Sequence, residues 1–242
     1  MPAEVRVFAD AEELGERLAA EILAAYERAA AGAFLLGCPG GRSLRSTYRA
    51  LAARRARLDR LVVVMMDEYV IAGEAAPADA PYSCRRFARE ELAGPLGLAD
   101  EQVWLPEPTD PAAYDERIAG AGGIDLFLLA SGASDGHVAF LPPGSPRDGR
   151  TTVVRLAEST RRDNLATFPE FVSVEDVPCH GVSVGLATIA DARSARLVLL
   201  GAGKRHAAAE VLGRDRFDPV WPVSIVHDCS GAEIWLDREA AP

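Results

Sequence analysis

Short apolar runs rich in β-branched residues alternate with helical segments along this chain, and this alternation most constrains its fold. The strongest runs, residues 61–66 and 124–130, are separated by segments whose apolar side chains recur every three or four positions. Strands that alternate with helices form βαβ units, in which helices cover both faces of a parallel sheet. The sequence therefore predicts an α/β fold, a three-layer α/β/α sandwich with a mostly parallel sheet. Because 242 residues is a common size for one such domain, we expect a single domain over residues 1–242.

The same periodicities give approximate bounds for each element. Asp10 and Glu13 have the spacing of a helix-capping box, and Ser83 is a candidate cap for a helix that stops near Gly94. Residues 71–82 and 132–150 are predicted loops. Helices are predicted at residues 10–30, 43–57, 83–94, 111–120 and 204–212, and strands at residues 33–37, 61–66, 103–105, 124–130, 182–185, 196–201 and 234–236.

Composition argues against several classes of partner. The formal net charge of −10 disfavours nucleic acid or an anionic membrane surface. The N-terminus carries acidic residues where a signal peptide needs an apolar core, and no apolar run approaches the roughly 18 residues of a membrane-spanning helix. We therefore expect a cytoplasmic protein, and the sequence leaves open whether it is a monomer or a homo-oligomer. Scattered cysteines without a C-x-x-C pair favour reduced thiols over disulfides or a metal site; they are Cys38, Cys84, Cys179 and Cys229.

Acidic residues and a histidine directly follow the two strongest strand runs. Asp67 and Glu68 come after the first run, and Asp135-Gly136-His137 comes after the second. In an open parallel sheet, groups beyond the carboxyl ends of strands converge on one crevice, where ligands bind. Carboxylates and an imidazole on one rim are suited to moving protons between carbon and oxygen. This pattern predicts an enzyme.

Each of these residues also has a purely structural interpretation. The acids at 67 and 68 are equally able to cap the next turn or to pair with Arg85 or Arg86. For His137 we favour function, because it lies in a Gly-rich loop and Asp135 is close enough in sequence to hold its tautomer. Structural roles are the better interpretation of the other histidines, which are His180, His206 and His227.

A glycine turn at residues 40–43 lies between a predicted strand and a predicted helix. Backbone N–H groups and the helix dipole at such a turn attract anions, and an arginine adds a planar charged fork suited to phosphate.

Lys204 lies at a second strand-to-helix junction, where a bound anion would offset the repulsion between the lysine charge and the helix dipole. The alternatives are an ordinary βα turn and a solvated lysine. The turn matches neither the Walker A nor the G-x-G-x-x-G pattern, so no nucleotide cofactor is predicted. The candidate anion ligands are Gly40, Gly41, Arg42, Ser43 and Lys204.

Several strings of residues resemble the glucosamine-6-phosphate deaminase/isomerase family in order and spacing across nearly the whole chain. They read LGCPGG and TYRAL at residues 36–41 and 47–51, MDEYV at 66–70, DGHVAF at 135–140, VSVGLATI at 182–189 and GxxK at 201–204. The resemblance implies a modified Rossmann-like fold and an enzyme that needs no cofactor. It also implies a substrate class, the hexosamine 6-phosphates.

The reaction implied by the resemblance is ring opening, proton transfer between C1 and C2, and loss of ammonia to leave fructose 6-phosphate. By the same resemblance, Asp67 is the C1/C2 proton shuttle, and His137, oriented by Asp135, opens the ring. Phosphate would be bound at Gly41, Ser43 and Lys204.

Three positions depart from the pattern of these deaminases. The family has a glutamate five residues after its catalytic histidine, where this chain has Pro142. A phosphate-binding arginine of the family aligns near Ala166, and Arg42 replaces a glycine of the phosphate turn. Arg42 is thus a candidate substitute for the missing arginine, as are the nearby Arg161 and Arg162. Candidate carboxylates to replace the missing glutamate are Asp148 and Glu170.

Two other functions remain open. Residues 135–146 also resemble 6-phosphogluconolactonase, a sister group on the same fold, although lactonases have Gly-Asp-Glu-Arg where this chain has Met66-Asp67-Glu68-Tyr69. The second alternative is a sugar-phosphate binding protein without catalysis. Regulators of that kind carry a helix-turn-helix segment, which residues 1–10 are too few to form.

Overall fold

A computed structural model of the chain has at its centre a seven-stranded sheet in which paired strands run parallel. The structure describes residues 3–242; Met1 and Pro2 of the predicted domain, and the side chain of Ala166, lie outside the described residues. The order across the large sheet is β1-β11-β10-β7-β2-β3-β6. The strands are β1 (Glu4–Phe8), β2 (Phe34–Cys38), β3 (Leu61–Met65), β4 (Asp67–Ile71), β5 (Glu74–Ala75), β6 (Val103–Trp104), β7 (Leu126–Leu129), β8 (Thr152–Arg155), β9 (His180–Ser183), β10 (Ala195–Leu199) and β11 (Glu233–Asp237).

Helices cover both faces of this sheet. None of those in residues 3–242 combines the length and apolar character needed to cross a lipid bilayer. A π-helical segment, Ala88–Ala93, joins the third helix to the fourth, and a 3₁₀ segment, Pro222–Asp228, precedes the last strand. The α-helices are α1 (Ala11–Arg28), α2 (Arg45–Ala53), α3 (Cys84–Phe87), α4 (Gly94–Leu96), α5 (Pro111–Gly120), α6 (Glu158–Thr167), α7 (Leu186–Ala190) and α8 (Arg205–Leu212).

Two apolar cores, one on each face of the sheet, confirm the predicted three layers. Successive side chains of a strand point to opposite faces. Leu36 and Leu128 accordingly pack with buried residues of α1 and α2, whereas Leu35 and Phe127 pack with residues of α5, α7 and α8. Burying a leucine or phenylalanine side chain contributes about 1.5–3 kcal/mol, so a strand buried on both faces is stabilised at every residue. This is why the strands appear in the sequence as continuous apolar runs.

A second, antiparallel sheet with the order β5-β4-β9-β8 was not predicted. A strand is present near the predicted residues 182–185, since β9 (His180–Ser183) overlaps them, and it pairs with β4. Hydrophobic periodicity identifies a strand without identifying its partner, so the pairing of β9 with β4 has no signal in the sequence. Because β4 begins two residues after β3 ends, Asp67 lies at the junction of the two sheets, paired in register with Ser183.

Six elements have no counterpart in the prediction: β1, β4, β5, β8, α6 and α7. Helix α6 has few apolar residues, and the residue that caps it, Ala157, makes no side-chain capping bond. It therefore lacks both of the usual sequence signals of a helix. Where caps are present the predicted helices are correct, because Asp10 accepts hydrogen bonds from the backbone of Glu12 and Glu13, and Ser83 accepts one from Arg86.

The strand order reverses between β2 and β7, and this reversal determines where a ligand has access. From β2 the chain passes through α2 to β3 on one side, whereas β7 lies on the other side, next to β10. The loops after β2 and β7 therefore diverge and leave a crevice at their carboxyl ends, which is where open α/β sheets bind ligands.

Candidate active site

A cavity of about 760 Å³ lies beyond the carboxyl ends of β2, β3, β7 and β10. Asp135 is not part of its wall, but it lies directly behind His137. The sequence-predicted site residues that line the cavity are Gly40, Gly41, Arg42, Ser43, Asp67, His137 and Lys204. The fold thus brings together residues from four separate loops, as convergence at the carboxyl edge predicts.

One end of the cavity has the character of an anion site. The turn after β2 is tied to α2 by the hydroxyl of Tyr48, which donates to the carbonyl of Pro39 at 3.0 Å. Gly41 has φ +88°, in the left-handed region where a side chain would be strained, so glycine lets the turn take this shape. Arg42 is exposed and lies at the cavity wall, where its Nη2 atom donates to the Thr167 hydroxyl of α6 at 3.3 Å.

Lys204 faces the turn from the end of β10. Its Nζ atom donates to the carbonyl of Ser131, which anchors the side chain between two strand ends. Burial lowers the pKa of Lys204, and Arg42 lowers it further, while the carboxylates of Asp163 and Asp135 act in the opposite direction. The pKa of Lys204 is lowered overall. An anion bound between Lys204 and Arg42 would relieve the repulsion between these two like charges.

The adjacent carboxylates of Asp67 and Glu68 have different surroundings. Glu68 is fully buried and accepts hydrogen bonds from Tyr69 N, Ser83 Oγ, Cys84 N and Arg85 N, at 2.8–3.0 Å. It caps the start of α3, so the structural interpretation is correct for this acid. Asp67, on the opposite face of β4, lines the cavity with only 6% of its surface exposed.

Burial raises the pKa of Asp67 to about 7. A hydrogen bond from Cys84 and the charge of His137 act against this rise, and the charge of Glu68 adds to it. A carboxyl group with this pKa both accepts and returns a proton near neutrality, which is what a proton shuttle requires.

Asp135 and His137 form a hydrogen-bonded pair. His137 Nδ1 lies 2.7 Å from Asp135 Oδ1, and the His137 backbone N–H donates to the same oxygen at 3.1 Å. Burial raises the pKa of Asp135, but the bond and charge of His137 outweigh it and hold the pKa well below its usual value. Because Asp135 is ionised, Nδ1 carries the proton and the other ring nitrogen, Nε2, is left for a ligand.

Gly132 makes room for this pair. A Cβ atom at this position would lie 2.2 Å from His137 Nδ1 and 2.5 Å from Asp135 Oδ1. Any side chain there would displace the imidazole, so the glycine of the Gly-rich loop has a steric role in the site.

Helix α6 provides the polar support that the sequence could not locate. Ser159 Oγ donates to Asp135 Oδ2, and Thr160 Oγ1 lies 3.2 Å from His137 Nδ1. Of the residues proposed from sequence as substitutes, Arg42 lines the cavity and the other four do not: Asp148 and Glu170 are exposed elsewhere, Arg161 donates to the carbonyl of Val177, and Arg162 pairs with Glu158. Pro142, at the position of the family glutamate, is also outside the cavity wall.

Three further polar residues of α6 line the cavity and were missed by sequence analysis: Asp163, Asn164 and Thr167. The Nδ2 atom of Asn164 is buried without a hydrogen-bond partner. Their spacing of one, three and four residues is typical of one face of a helix, but the sequence gives no other sign that a helix lies here.

Among residues 3–242, no group of three or more His, Cys, Asp or Glu side chains is arranged to hold a metal ion.

Known proteins resemble this chain over most of its length. Residues 9–235 match the sequence model of the family described as glucosamine-6-phosphate isomerases/6-phosphogluconolactonase. A glucosamine-6-phosphate deaminase of Streptomyces coelicolor is 37% identical over 249 residues, which cover 98% of this chain and 91% of the relative. The structure of a monomeric glucosamine-6-phosphate deaminase superimposes with a TM-score of 0.86 at 27% identity, over 98% of both chains. A 6-phosphogluconolactonase of Trypanosoma brucei shares the fold, with a TM-score of 0.72 at 22% identity over 98% of this chain and 97% of that one.

Proposed function

This chain belongs to the family of glucosamine-6-phosphate isomerases and 6-phosphogluconolactonases, and from that premise we propose that it is a glucosamine-6-phosphate deaminase. The reaction converts glucosamine 6-phosphate and water into fructose 6-phosphate and ammonia. One observation carries the proposal: buried Asp67 and the Asp135-supported His137 line a single cavity that has an anion site at one end. Proton transfer on a phosphorylated sugar needs these three features together.

Phosphate binding orients the sugar. In our proposal the backbone of Gly40 and Gly41, the Ser43 hydroxyl and the start of α2 accept the phosphate oxygens. Arg42 and Lys204 neutralise its charge from two sides. Binding at one end of the cavity directs the C1 end of the sugar toward Asp67 and His137.

Ring opening is assigned to His137. Its Nε2 atom takes the proton of the C1 hydroxyl while the C1–O5 bond breaks, and returns that proton to O5. The positive charge that develops on the imidazole is stabilised by Asp135, which Ser159 holds from behind. The support that the family obtains from a glutamate at position 142 thus comes here from Asp135 and α6.

Isomerisation is assigned to Asp67. Its carboxylate removes the proton from C2 of the open aldehyde and delivers it to C1, while O1 gains a proton and the amino nitrogen loses one, which leaves a hydroxyl at C1 and an imine at C2. Water adds to C2, ammonia leaves, and the ketone of fructose 6-phosphate remains. Only protons, water and ammonia are exchanged, so we propose a reaction without a redox cofactor.

Purified protein tests this proposal directly. We expect ammonia release from glucosamine 6-phosphate and little hydrolysis of 6-phosphogluconolactone, because the shuttle carboxylate has no role in attack by water on a lactone. Efficient lactone hydrolysis without ammonia release would establish the lactonase alternative. A ligand-induced rise in Tm with glucosamine 6-phosphate, without turnover of either compound, would establish a binding protein.

Arg42→Ala should weaken the affinity for glucosamine 6-phosphate by about 10- to 100-fold, the effect of losing a hydrogen bond to a charged group. Affinity for unphosphorylated glucosamine should barely change, and titration calorimetry measures both. Arg49→Ala is the matched control, because Arg49 is an exposed arginine of α2 that pairs with Glu12 and does not line the cavity. Equal affinity of wild type and Arg42→Ala for the phosphorylated sugar would remove Arg42 from the phosphate site.

A further inference from the structure

The thiol of Cys84 contacts Asp67 and has no part in the steps derived above. Its Sγ atom lies 3.3 Å from Asp67 Oδ1, and both residues are buried, with 7% and 6% of their surfaces exposed. Within residues 3–242 no second group hydrogen-bonds the Asp67 carboxylate. We propose that Cys84 is a positioning residue whose thiol holds Oδ1 of the base and leaves Oδ2 to face C1 and C2 of the sugar. This inference rests on the proposed role of Asp67 as the proton shuttle.

The chemistry of the thiol determines the direction of this hydrogen bond. Burial, together with the nearby carboxylates of Asp67 and Glu68, raises the pKa of Cys84 well above its usual value. Cys84 is therefore a protonated thiol near neutral pH, so it donates to the carboxylate. A thiol of this kind is neither a nucleophile nor a metal ligand, because both roles need the thiolate. Orientation of Asp67 is the role that remains.

Glu68 holds Cys84 in position. The backbone N–H of Cys84 donates to Glu68 Oε1 at 3.0 Å, and the neighbouring Ser83 hydroxyl and Arg85 N–H donate to Oε2 at 3.0 and 2.9 Å. Two adjacent acids of β4 thus bind the start of α3. Glu68 accepts from backbone N–H groups of the helix, and Asp67 accepts from the thiol of Cys84. Because these three bonds fix the start of α3, the backbone of Cys84 is held beside Asp67.

A thiol suits this position because it is a weak donor. Burial raises the pKa of Asp67, and the bond from Cys84 acts against that rise without abolishing it, which leaves the pKa at about 7. A strong donor in its place would stabilise the carboxylate further and make it a poorer base. The titratable groups whose charge interacts with that of Asp67 are Glu68 and Tyr69 on its own strand, Tyr48 on α2, Cys84 on α3, Tyr114 on α5 and His137 after β7.

Kinetics over a range of pH test the proposal. In Cys84→Ala the acid limb of kcat/KM for glucosamine 6-phosphate should move up by about 0.5–1 pH unit, because the carboxylate loses a weak charge-assisted hydrogen bond. Its kcat should fall while KM stays near the wild-type value. Cys84→Ser retains a donor, so its acid limb should lie at or below that of wild type and its kcat should exceed that of the alanine variant.

The matched control is Cys229→Ala, which removes another buried thiol, one that donates to the carbonyls of Ile189 and Ile225 away from the cavity. Its pH profile should equal that of wild type. An acid limb that does not move in Cys84→Ala, or a limb that moves equally in Cys229→Ala, would overturn the positioning role.

Infrared spectroscopy of the resting protein provides a readout that is independent of turnover. The S–H stretching band of Cys84, identified by its loss in Cys84→Ala, should shift to lower frequency as the pH rises through about 7 and Asp67 ionises. The shift should be absent in Asp67→Asn. A band that shifts in a protein without deaminase activity would support the contact and refute the proposed function, whereas a band insensitive to pH would refute the contact itself.

Discussion

His137→Asn should lower kcat on glucosamine 6-phosphate by ~10²–10⁴-fold, the usual loss when a general acid–base is removed. Asparagine is close to histidine in size and keeps a donor toward Asp135, but it has no group that takes and returns a proton. KM should change little, because the phosphate is bound at the other end of the cavity. Steady-state kinetics of ammonia release measures both quantities.

His180→Asn is the matched control for this variant, because His180 is an exposed histidine of β9 outside the cavity wall. It should retain the wild-type kcat. Wild-type turnover in His137→Asn would mean that the ring opens without this side chain, and the assignment of His137 would be wrong.

Asp67→Asn should abolish the exchange of the C2 proton and lower kcat by a similar ~10²–10⁴-fold, because no other carboxylate is proposed to reach C2. NMR of the reaction in D₂O distinguishes this step from ring opening. Wild-type enzyme should introduce deuterium at C1 of the ketose. If Asp67→Asn still did so at the wild-type rate, another group would be the shuttle.

The same substitution should change the pH dependence of stability. The pKa of Asp67 rises from 3.8 to about 7 on burial, so the folded protein binds this proton more tightly than the unfolded chain does. The resulting stabilisation is complete below pH 3.8 and is lost as the pH rises to about 7. Above that pH the wild type buries a charge, which asparagine avoids.

We therefore expect Asp67→Asn to exceed the wild type in free energy of unfolding by roughly 2–4 kcal/mol at pH 8.5 and to match it near pH 4. Urea unfolding at the two pH values measures the difference. Asp59→Asn, at an exposed acid, is the control and should give no such dependence. A variant less stable than wild type at pH 8.5 would show that the Asp67 carboxylate is stabilised in the fold.

The architecture was predictable because its physical cause is local in the sequence. Strands buried on both faces must be apolar at every residue, and amphipathic helices must repeat their apolar residues with a period of 3.6. These patterns identified the parallel sheet, most of its helices and, from the residues after each strand, the glycine turn, Asp67, His137 and Lys204 of the cavity wall. The antiparallel sheet escaped prediction because strand partners depend on long-range packing, and α6 escaped because its helix is polar.

The chemical groups of the candidate site, and the edge of the sheet on which they converge, could be predicted from the residues alone, since strand ends and glycine turns are recognisable in the sequence. Which of two adjacent acids faces the cavity depends on the tertiary structure. Asp67 and Glu68 differ by one position on a strand, and their side chains therefore point to opposite faces, but the choice of face depends on where α3 packs. The tertiary structure also brought Ser159 to Asp135 and Cys84 to Asp67, because contacts between residues distant in sequence arise only when the helices dock on the sheet.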